Sequence, residues 1–366
     1  MRIIDADGHI VERGQNEEIA KYMPRGAHSG PIFPQFDHLH TNFLGATADT
    51  GGRRGGTKAR GGPNNPDAGD WVEFMDATGI DWTVVYPSTG LGVGRIPSID
   101  WAIVACRAYN NWLYDRFTNV TPRVKGAALI PVQDPHAAAE ELHRVVKQLG
   151  MPAAMLPSTG EGIKGHLGDR IYDPVYEAAE ELDCALAVHG GSHSHLGMDS
   201  FSTYYPVHAL GHPFGIMVQA AAMLSHGVFE RFPRLRVGFL EGGATWVPFF
   251  LDRMERSYEG HLQVNLEGDW VGGPLPEEGA AGYFCRLARE GRIFVGFDCD
   301  DKGLGYATQR AGRDPFLFAS DFPHEGTTAE SCLHEIAELL ERDDLTEQDK
   351  EAVLATNAER FYGIRG

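Results

Sequence analysis

The feature of this sequence that most limits its possible folds is the alternation of short apolar runs with segments of helical spacing. Eight apolar runs occur, and most are followed by a stretch in which apolar residues recur every three or four positions. The runs cover residues 2–9, 83–88, 124–132, 153–159, 185–191, 237–243, 292–298 and 315–321. Because nearly continuous apolar strands that alternate with helices indicate a parallel sheet covered on both faces, we predict an α/β fold. Eight units favour closure into a (β/α)8 TIM barrel, and a doubly wound open sheet is the alternative.

The length of the chain fits a single barrel domain over residues 1–366. Barrels of this kind are about 250 residues or longer as one unit, and a hydrophobic content of 42% supports a large core. The helices predicted between and after the strands cover residues 99–117, 136–149, 174–182, 214–224, 246–260, 282–290 and 329–342.

Residues 45–70 break the alternation. This segment is rich in Gly, Arg, Asn and Pro, has no apolar period, and lies between the first and second predicted strands. We interpret it as a mobile loop insertion on the active-site side of the barrel. It is either a loop without function or a lid whose basic residues meet an anionic part of a substrate, and these residues are Arg53, Arg54, Lys58 and Arg60.

The charge and the termini restrict the partners of the chain. A formal net charge of −19 repels phosphate backbones and anionic lipids, which argues against nucleic-acid and membrane-surface binding. No run of about 18 apolar residues and no signal peptide occur, so we expect a cytoplasmic protein with a small-molecule substrate. The five cysteines are scattered and contain no C-x-x-C pair, which argues against a disulfide framework or a cysteine zinc site.

Several predicted strands end in a polar or ionisable residue. The carboxyl ends of the strands form the active-site face of a barrel, so these residues are expected to converge there. They are His9, Ser88, Ser158, His189, Glu241, Asp298 and Asp321.

The first strand carries the densest charge, since Asp5, Asp7 and His9 alternate on one face. A buried row of that kind needs something to neutralise it, so either a metal lies there or the strand is not buried. Together with His189, Glu241 and Asp321, this strand supplies nitrogen and oxygen donors without thiolates. Such a set suits zinc, manganese or iron.

Five motifs in this sequence resemble those of the amidohydrolase-related proteins, in the branch typified by aminocarboxymuconate semialdehyde decarboxylase and the resorcylate decarboxylases. The motifs are IDADGH, AVHGG, GVFERFPRLRVGFLEGGATWVPFFLDRME, ASDFPH and NAERFYG. The resemblance extends over nearly the whole chain apart from the Gly/Arg-rich insertion. It implies a metal-dependent barrel enzyme, and by analogy a homodimer.

Position by position, the resemblance implies metal ligands. Asp7 stands where the first His ligand usually stands, His9 is the second ligand and His189 the third. Asp321 is the last ligand and can also take or give a proton. Asp5 is expected to hold the strand in place from behind the ligands.

The sixth strand departs from the pattern of the decarboxylases. They have G-H-x-G-E, whereas this chain has FLEGGATW, with Glu241 where the His belongs and Ala244 where the Glu would be. A further carboxylate beside Asp7 and Asp321 favours a second cation, which Glu241 would bridge or complete, and two metals favour hydrolysis. The L-E-x-G-x-x-W pattern also resembles a group of non-haem iron thioesterases.

Further residues are candidates around this centre. His324 is a candidate catalytic residue, and His193, His212 and Trp246 are candidates for contact with the substrate or with the ligands. His195 and His208 are interpreted as solvent-facing loop residues. We considered Ser158 and Ser192 as nucleophiles, but neither lies in a nucleophile-elbow pattern.

The sequence therefore predicts a hydrolase with one or two divalent metals, Fe, Zn or Mn, that acts on an acyl substrate, with thioesters or esters favoured over amides. Catalysis is assigned to Asp321, Glu241 and His324. The alternatives are a non-oxidative, metal-dependent decarboxylase of a (hydroxy)aromatic or related acid, and a binding protein that has kept the barrel without turnover. Release of carbon dioxide separates the two enzymes.

Overall fold

Eight parallel strands form one sheet in which each strand pairs with the next along the chain. The computed structural model describes residues 1–26, 31–34, 65–261, 277–324 and 327–364. The strands are β1 (Ile4–Ile10), β2 (Trp82–Pro87), β3 (Val124–Leu129), β4 (Ala153–Pro157), β5 (Ala185–His189), β6 (Val237–Leu240), β7 (Ile293–Asp298) and β8 (Phe316–Ala319). Each lies within one residue of a predicted run or inside it.

The carboxyl end of β1 is joined by backbone hydrogen bonds to the segment that follows β8. The amide of His9 donates to the carbonyl of Phe322 at 2.8 Å, and the amide of Asp321 donates to the carbonyl of Asp7 at 3.0 Å. These bonds close the sheet. The prediction of a (β/α)8 barrel is therefore confirmed, and the open-sheet alternative is wrong.

Helices follow the strands and cover the outside of the sheet. They are α1 (Asn16–Ala20), α2 (Ala68–Thr78), α3 (Ile99–Leu113), α4 (Pro135–Leu149), α5 (Asp173–Glu181), α6 (Tyr204–Ser225), α7 (Val228–Arg231), α8 (Trp246–His261), α9 (Gly279–Arg289), α10 (Leu304–Ala311), α11 (Ala329–Glu341), α12 (Glu347–Glu351) and α13 (Asn357–Tyr362). Short 3₁₀ turns cover Thr89–Arg95 and Arg170–Tyr172, and π turns cover Tyr114–Thr118 and Ala352–Thr356.

Local sequence signals set the ends of α4. The side chain of Asp134 accepts hydrogen bonds from the amides of His136 and Ala137, and Pro135 occupies the first turn. Gly150 ends the helix in the left-handed conformation, with φ of +66°.

Two helices differ from the sequence prediction. Helix α2 begins at Ala68, inside the segment interpreted as a loop; residues 45–64 of that segment, with its basic residues, lie outside the described residues. Helix α6 begins ten residues earlier than predicted. Its first half contains Pro206, Gly211 and Pro213, which lower helix propensity, but Val207 and His212 are buried there, so packing outweighs propensity.

Helix α6 also resembles a membrane span by length and composition. It is the one such helix in the described part of the chain, with 22 residues and a mean hydropathy of 1.2 over its apolar window. Because 56% of that window is buried inside the protein, as in a core helix, this is weak evidence for a membrane span.

The carboxy-terminal helix packs across the amino ends of the strands. The hydroxyl of Tyr362 donates to the carbonyl of Ala6 in β1 at 2.5 Å, and Asn357 donates to the carbonyl of Phe316 in β8 at 2.8 Å. The ring of Phe361 lies against Gly238 in β6, where a Cβ atom would come within 2.6 Å of the ring. Helix α13 therefore covers the end of the barrel opposite the candidate site.

Candidate metal centre

The carboxyl ends of β1, β5, β6 and β8 bring six ionisable side chains together. Their donor atoms form two overlapping groups that share His9, and within each group the donor atoms all lie within 4.8 Å of one another. One group is Asp7, His9 and His189, and the other is His9, Glu241, Asp321 and His324.

The imidazole of His9 is oriented by the backbone of β2. Its Nδ1 lies 3.0 Å from the carbonyl oxygen of Pro87, so Nδ1 carries the proton and Nε2 has a lone pair. That Nε2 lies 3.6 Å from Oδ1 of Asp7 and 3.4 Å from Oδ1 of Asp321, and it has no hydrogen-bond partner among the described residues. Burial, together with the nearby rings of His324 and His189, holds the pKa of His9 well below its usual range. Nε2 of His9 is a neutral nitrogen that faces two carboxylates. A cation could therefore bind between these three groups.

His189 faces carboxylates on both sides of its ring. Nδ1 lies 2.8 Å from the carbonyl of Gly190 and 3.2 Å from Oε2 of Glu241, and Nε2 lies 3.1 Å from Oδ1 of Asp7. Burial acts to lower the pKa of His189, but Asp7 and Glu241 outweigh it and raise the pKa well above the usual range.

The carboxylate of Asp7 is almost completely buried. Loss of hydration raises its pKa to about 6; His189 opposes the rise, while Glu241 and Asp321 add to it. Glu241 and Asp321 thus raise the pKa of Asp7, and carboxylates crowded into one pocket in this way are the charge pattern that a divalent cation neutralises.

Glu241 follows β6 and bridges two imidazoles. Its Oε2 lies 3.2 Å from Nδ1 of His189 and 3.6 Å from Nδ1 of His212. Burial acts to raise the pKa of Glu241, but the adjacent imidazoles of His212 and His189 hold it well below its usual range. Burial lowers the pKa of His212 to about 3.

Asp321 follows β8 and contacts a second histidine. Its Oδ1 lies 2.9 Å from Nδ1 of His324, whose Nε2 lies 2.7 Å from the hydroxyl of Ser88. Burial acts to lower the pKa of His324, but Asp321 outweighs it and raises the pKa to about 9. Asp321 and Glu241 both have positive φ, +49° and +64°, a strained conformation for residues with a side chain that is common at functional sites.

Asp5 of β1 lies behind the cluster and is hydrogen-bonded to β2 and to the segment after β8. Its Oδ2 accepts hydrogen bonds from the hydroxyls of Thr83 at 2.6 Å and Ser320 at 2.8 Å, and its Oδ1 accepts from the amide of Ser320 at 2.8 Å. Asp5 therefore ties β1 to the residues of β2 and to the segment after β8.

The remaining predicted residues lie in different surroundings. His193 is buried, with its ring centroid 4.9 Å from that of His212, whereas His195 is 74% exposed beside Glu161. Trp246 is part of the core and packs on Phe239 and Phe250.

One expectation about position needs correction, and one residue was missed. His208 lies on helix α6 and not on a loop, because that helix is longer than predicted. Ser88 is one of the polar strand ends, and this position is the signal from which its role could have been predicted.

Three comparisons place this geometry among known proteins. The family model described as "Amidohydrolase" matches residues 4–364. The 2-amino-3-carboxymuconate-6-semialdehyde decarboxylase of Dictyostelium discoideum is 27% identical over 187 residues, which are 48% of this chain and 51% of that protein. The chain thus spans about half the length of that relative. The gamma-resorcylate decarboxylase of Rhizobium sp. is 26% identical over 310 residues, 81% of this chain and 86% of that protein.

Among solved structures, a 5-carboxyvanillate decarboxylase of Novosphingobium aromaticivorans shares the fold, with a TM-score of 0.72 and 20% identity over 99% of this chain and 97% of that one. It holds manganese and 3-methoxy-4-hydroxy-5-nitrobenzoic acid.

These relatives overturn the first functional prediction. The prediction of a hydrolase, with thioesters or esters as favoured substrates, is wrong, because the relatives are carboxylic acid decarboxylases. That prediction rested on the replacement of His by Glu241 after β6, which by itself does not show a change of reaction. The alternative, a metal-dependent decarboxylase, is the one that the relatives support.

Proposed function

Because this chain belongs to the amidohydrolase family, we propose that it is a metal-dependent enzyme that removes a carboxyl group from a small (hydroxy)aromatic or related carboxylic acid without an oxidant. The observation that carries the proposal is that Nε2 of His9, at the barrel mouth, lies in one group of donor atoms with Asp7 and His189 and in a second group with Asp321. The decarboxylase relative that aligns with 81% of the chain supports the choice of reaction.

Asp7, His9, His189 and Asp321 would hold a divalent metal, which when bound supplies a Lewis acid for the acidic oxygens of the substrate. The lone pair on Nε2 of His9 and the crowded carboxylates fit such an ion. Manganese is the ion in the solved decarboxylase, so it is the first choice. Iron, zinc and a second metal at Glu241 stay predictions that metal analysis decides.

Decarboxylation breaks the bond between the carboxyl carbon and the carbon that bears it. The electron pair stays on the second carbon, which takes up one proton, and carbon dioxide leaves. We assign the donation of that proton to Asp321, which is one of the proposed ligands and follows β8. Nδ1 of His324, 2.9 Å from Oδ1 of Asp321, replaces the proton, because His324 stays protonated near pH 7.

Glu241 has a different role in this proposal. It stays ionised, because its pKa is held well below the usual range, so it does not donate a proton. It orients the ring of His189 through Nδ1, in the way that carboxylates behind metal-bound histidines do.

The test is release of carbon dioxide by purified protein loaded with manganese. The substrates are 2,6-dihydroxybenzoate and 5-carboxyvanillate, and the products are followed by liquid chromatography. We expect turnover on at least one of these acids, and loss of at least about 100-fold in kcat for Asp321→Asn. Asp100→Asn, an exposed carboxylate on α3, is the matched control. Full metal occupancy without release of carbon dioxide from either acid argues against this substrate class.

A further inference from the structure

A chain of three hydrogen-bonded side chains connects the ends of β2 and β8. The hydroxyl of Ser88 lies 2.7 Å from Nε2 of His324, and Nδ1 of His324 lies 2.9 Å from Oδ1 of Asp321. The two ring nitrogens of His324 are therefore both engaged, one by the candidate proton donor and the other by Ser88.

Ser88 is itself held by the segment that leaves β1. The buried carboxylate of Glu12 accepts hydrogen bonds from three successive amides, those of Ser88 at 3.0 Å, Thr89 at 2.9 Å and Gly90 at 3.2 Å. The amide of Ser88 also donates to the carbonyl of Ile10 at 2.9 Å. The hydroxyl of Ser88 thus projects from a fixed piece of backbone.

The ring of His324 is fixed on its face as well as at its edges. It stacks on the ring of His9, with centroids 3.9 Å apart and planes 24° from parallel. Stacking alone permits the ring to turn within its plane, whereas the contact with Ser88 defines which edge faces Asp321.

We propose that Ser88 is a positioning residue that holds the imidazole of His324 with its Nδ1–H directed at Asp321. A serine hydroxyl suits this role because it can accept a hydrogen bond from Nε2–H, which keeps its proton before and after Nδ1 gives its own to Asp321. Nδ1 therefore faces Asp321 throughout the transfer. This inference rests on the proposed function for its effect on turnover, but the orientation of the ring is independent of it.

The variants Ser88→Ala, Ser88→Thr and Thr89→Ala test the proposal. Thr89→Ala is the matched control, because it removes a hydroxyl from the next residue of the same turn, and the structure assigns that hydroxyl no hydrogen bond to His324. Two measurements are made on the full chain. The first is the kcat and KM of the manganese form, and the second is the ¹H–¹⁵N resonance of Nδ1–H of His324 in the diamagnetic zinc form.

We expect Ser88→Ala to lower kcat by about 10-fold or more with KM changed less than about twofold, as for other residues that orient catalytic groups. Ser88→Thr should restore most of that loss. The Nδ1–H resonance should be sharp in the wild type, in Ser88→Thr and in Thr89→Ala, and lost through exchange in Ser88→Ala.

The proposal is overturned if Ser88→Ala keeps the sharp resonance, or if Thr89→Ala loses it as well. A protein without turnover on any acid would defeat the proposed function alone, since the resonance reports the orientation of His324 directly.

Discussion

His9 and His189 are both fully buried, yet the pKa of one is lowered and that of the other is raised. The difference lies in their hydrogen bonds. His9 donates to an uncharged carbonyl, whereas His189 lies between the carboxylates of Asp7 and Glu241. Metal binding must therefore displace protons from His189 and Asp7 but not from His9.

Because protons compete with the metal at Asp7 and His189, we predict that metal affinity falls at acidic pH. Asp7 has a pKa of about 6 without metal, so below pH 6 a proton competes for its oxygen, and above pH 6 that oxygen is unprotonated. From this proton alone we expect about 10-fold weaker manganese binding at pH 5 than at pH 8, and competition at His189 adds to the loss. Titration calorimetry between pH 5 and pH 8 measures the effect. Affinity that stays constant over this range would contradict it.

A second prediction concerns the shared ligand of the two donor groups. Replacing His9 with Ala removes the nitrogen that faces both Asp7 and Asp321, so we expect manganese content to fall below about a tenth of that of the wild type after dialysis. Plasma mass spectrometry measures the content. His195→Ala, on an exposed side chain, should bind as much metal as the wild type.

At the scale of the elements, strands were predictable and contacts between distant residues were not. The apolar runs placed every strand, because a strand covered on both faces needs continuous apolar residues. The same placement brought Asp7, His9, His189 and Asp321 to one face, since their positions at strand ends follow from chain order.

The parts that could not be predicted depend on packing. The start of α6, the contact between His212 and Glu241, and the bond between Ser88 and His324, 236 positions apart, require the folded barrel. Nothing local in FLEGG indicates the positive φ of Glu241.

The brace at Asp5 gives a prediction about strand packing. Asp5→Ala would leave the amide of Ser320 and the hydroxyl of Thr83 buried without their acceptor. We expect the free energy of unfolding to fall by about 3 kcal/mol, measured by urea denaturation. Asp100→Ala, on the exposed face of α3, should change it by less than about 0.5 kcal/mol. Equal effects of the two changes would remove the role assigned to Asp5.

The packing of α2 against β1 gives another prediction about stability. A Cβ atom on Gly8 would lie 2.4 Å from the ring of Trp71 and 2.9 Å from Oδ2 of Asp5. Gly8→Ala should therefore destabilise the protein by about 2 kcal/mol, since a well-packed core resists added volume. In Gly260→Ala the new methyl group meets nothing within 4 Å, and this variant should be neutral or slightly stabilising in the same thermal or urea unfolding measurement.

At the scale of the whole molecule, net charge and metal content act on stability together. A formal charge of −19 disfavours the compact state, and three of its carboxylates are packed at the barrel mouth. A cation at this site binds the folded state and not the unfolded state, so it increases the free energy of unfolding. The homodimer implied by resemblance stays a prediction.

Removal of metal should accordingly lower the melting temperature. At a manganese concentration about 100 times Kd, binding stabilises the folded state by about 2.7 kcal/mol, which for a chain of this size is a shift of about 3–4 °C. Differential scanning calorimetry with and without a chelator measures the shift. The His9→Ala protein should melt at the same temperature in both conditions, and a shift of equal size in that variant would place the metal elsewhere.

The hydrogen bonds between the end of β1 and the segment after β8 have a consequence for the order of events during synthesis. Asp7 is made before Asp321, and its carbonyl acquires the amide of Asp321 only after the roughly 300 residues between them have been made. At ordinary elongation rates that delay is about 20 s to 1 min. During this time β1 exposes an unpaired strand edge. The four proposed ligands are together only after Asp321 has been made, and a chaperone that shields β1 would act before the barrel closes.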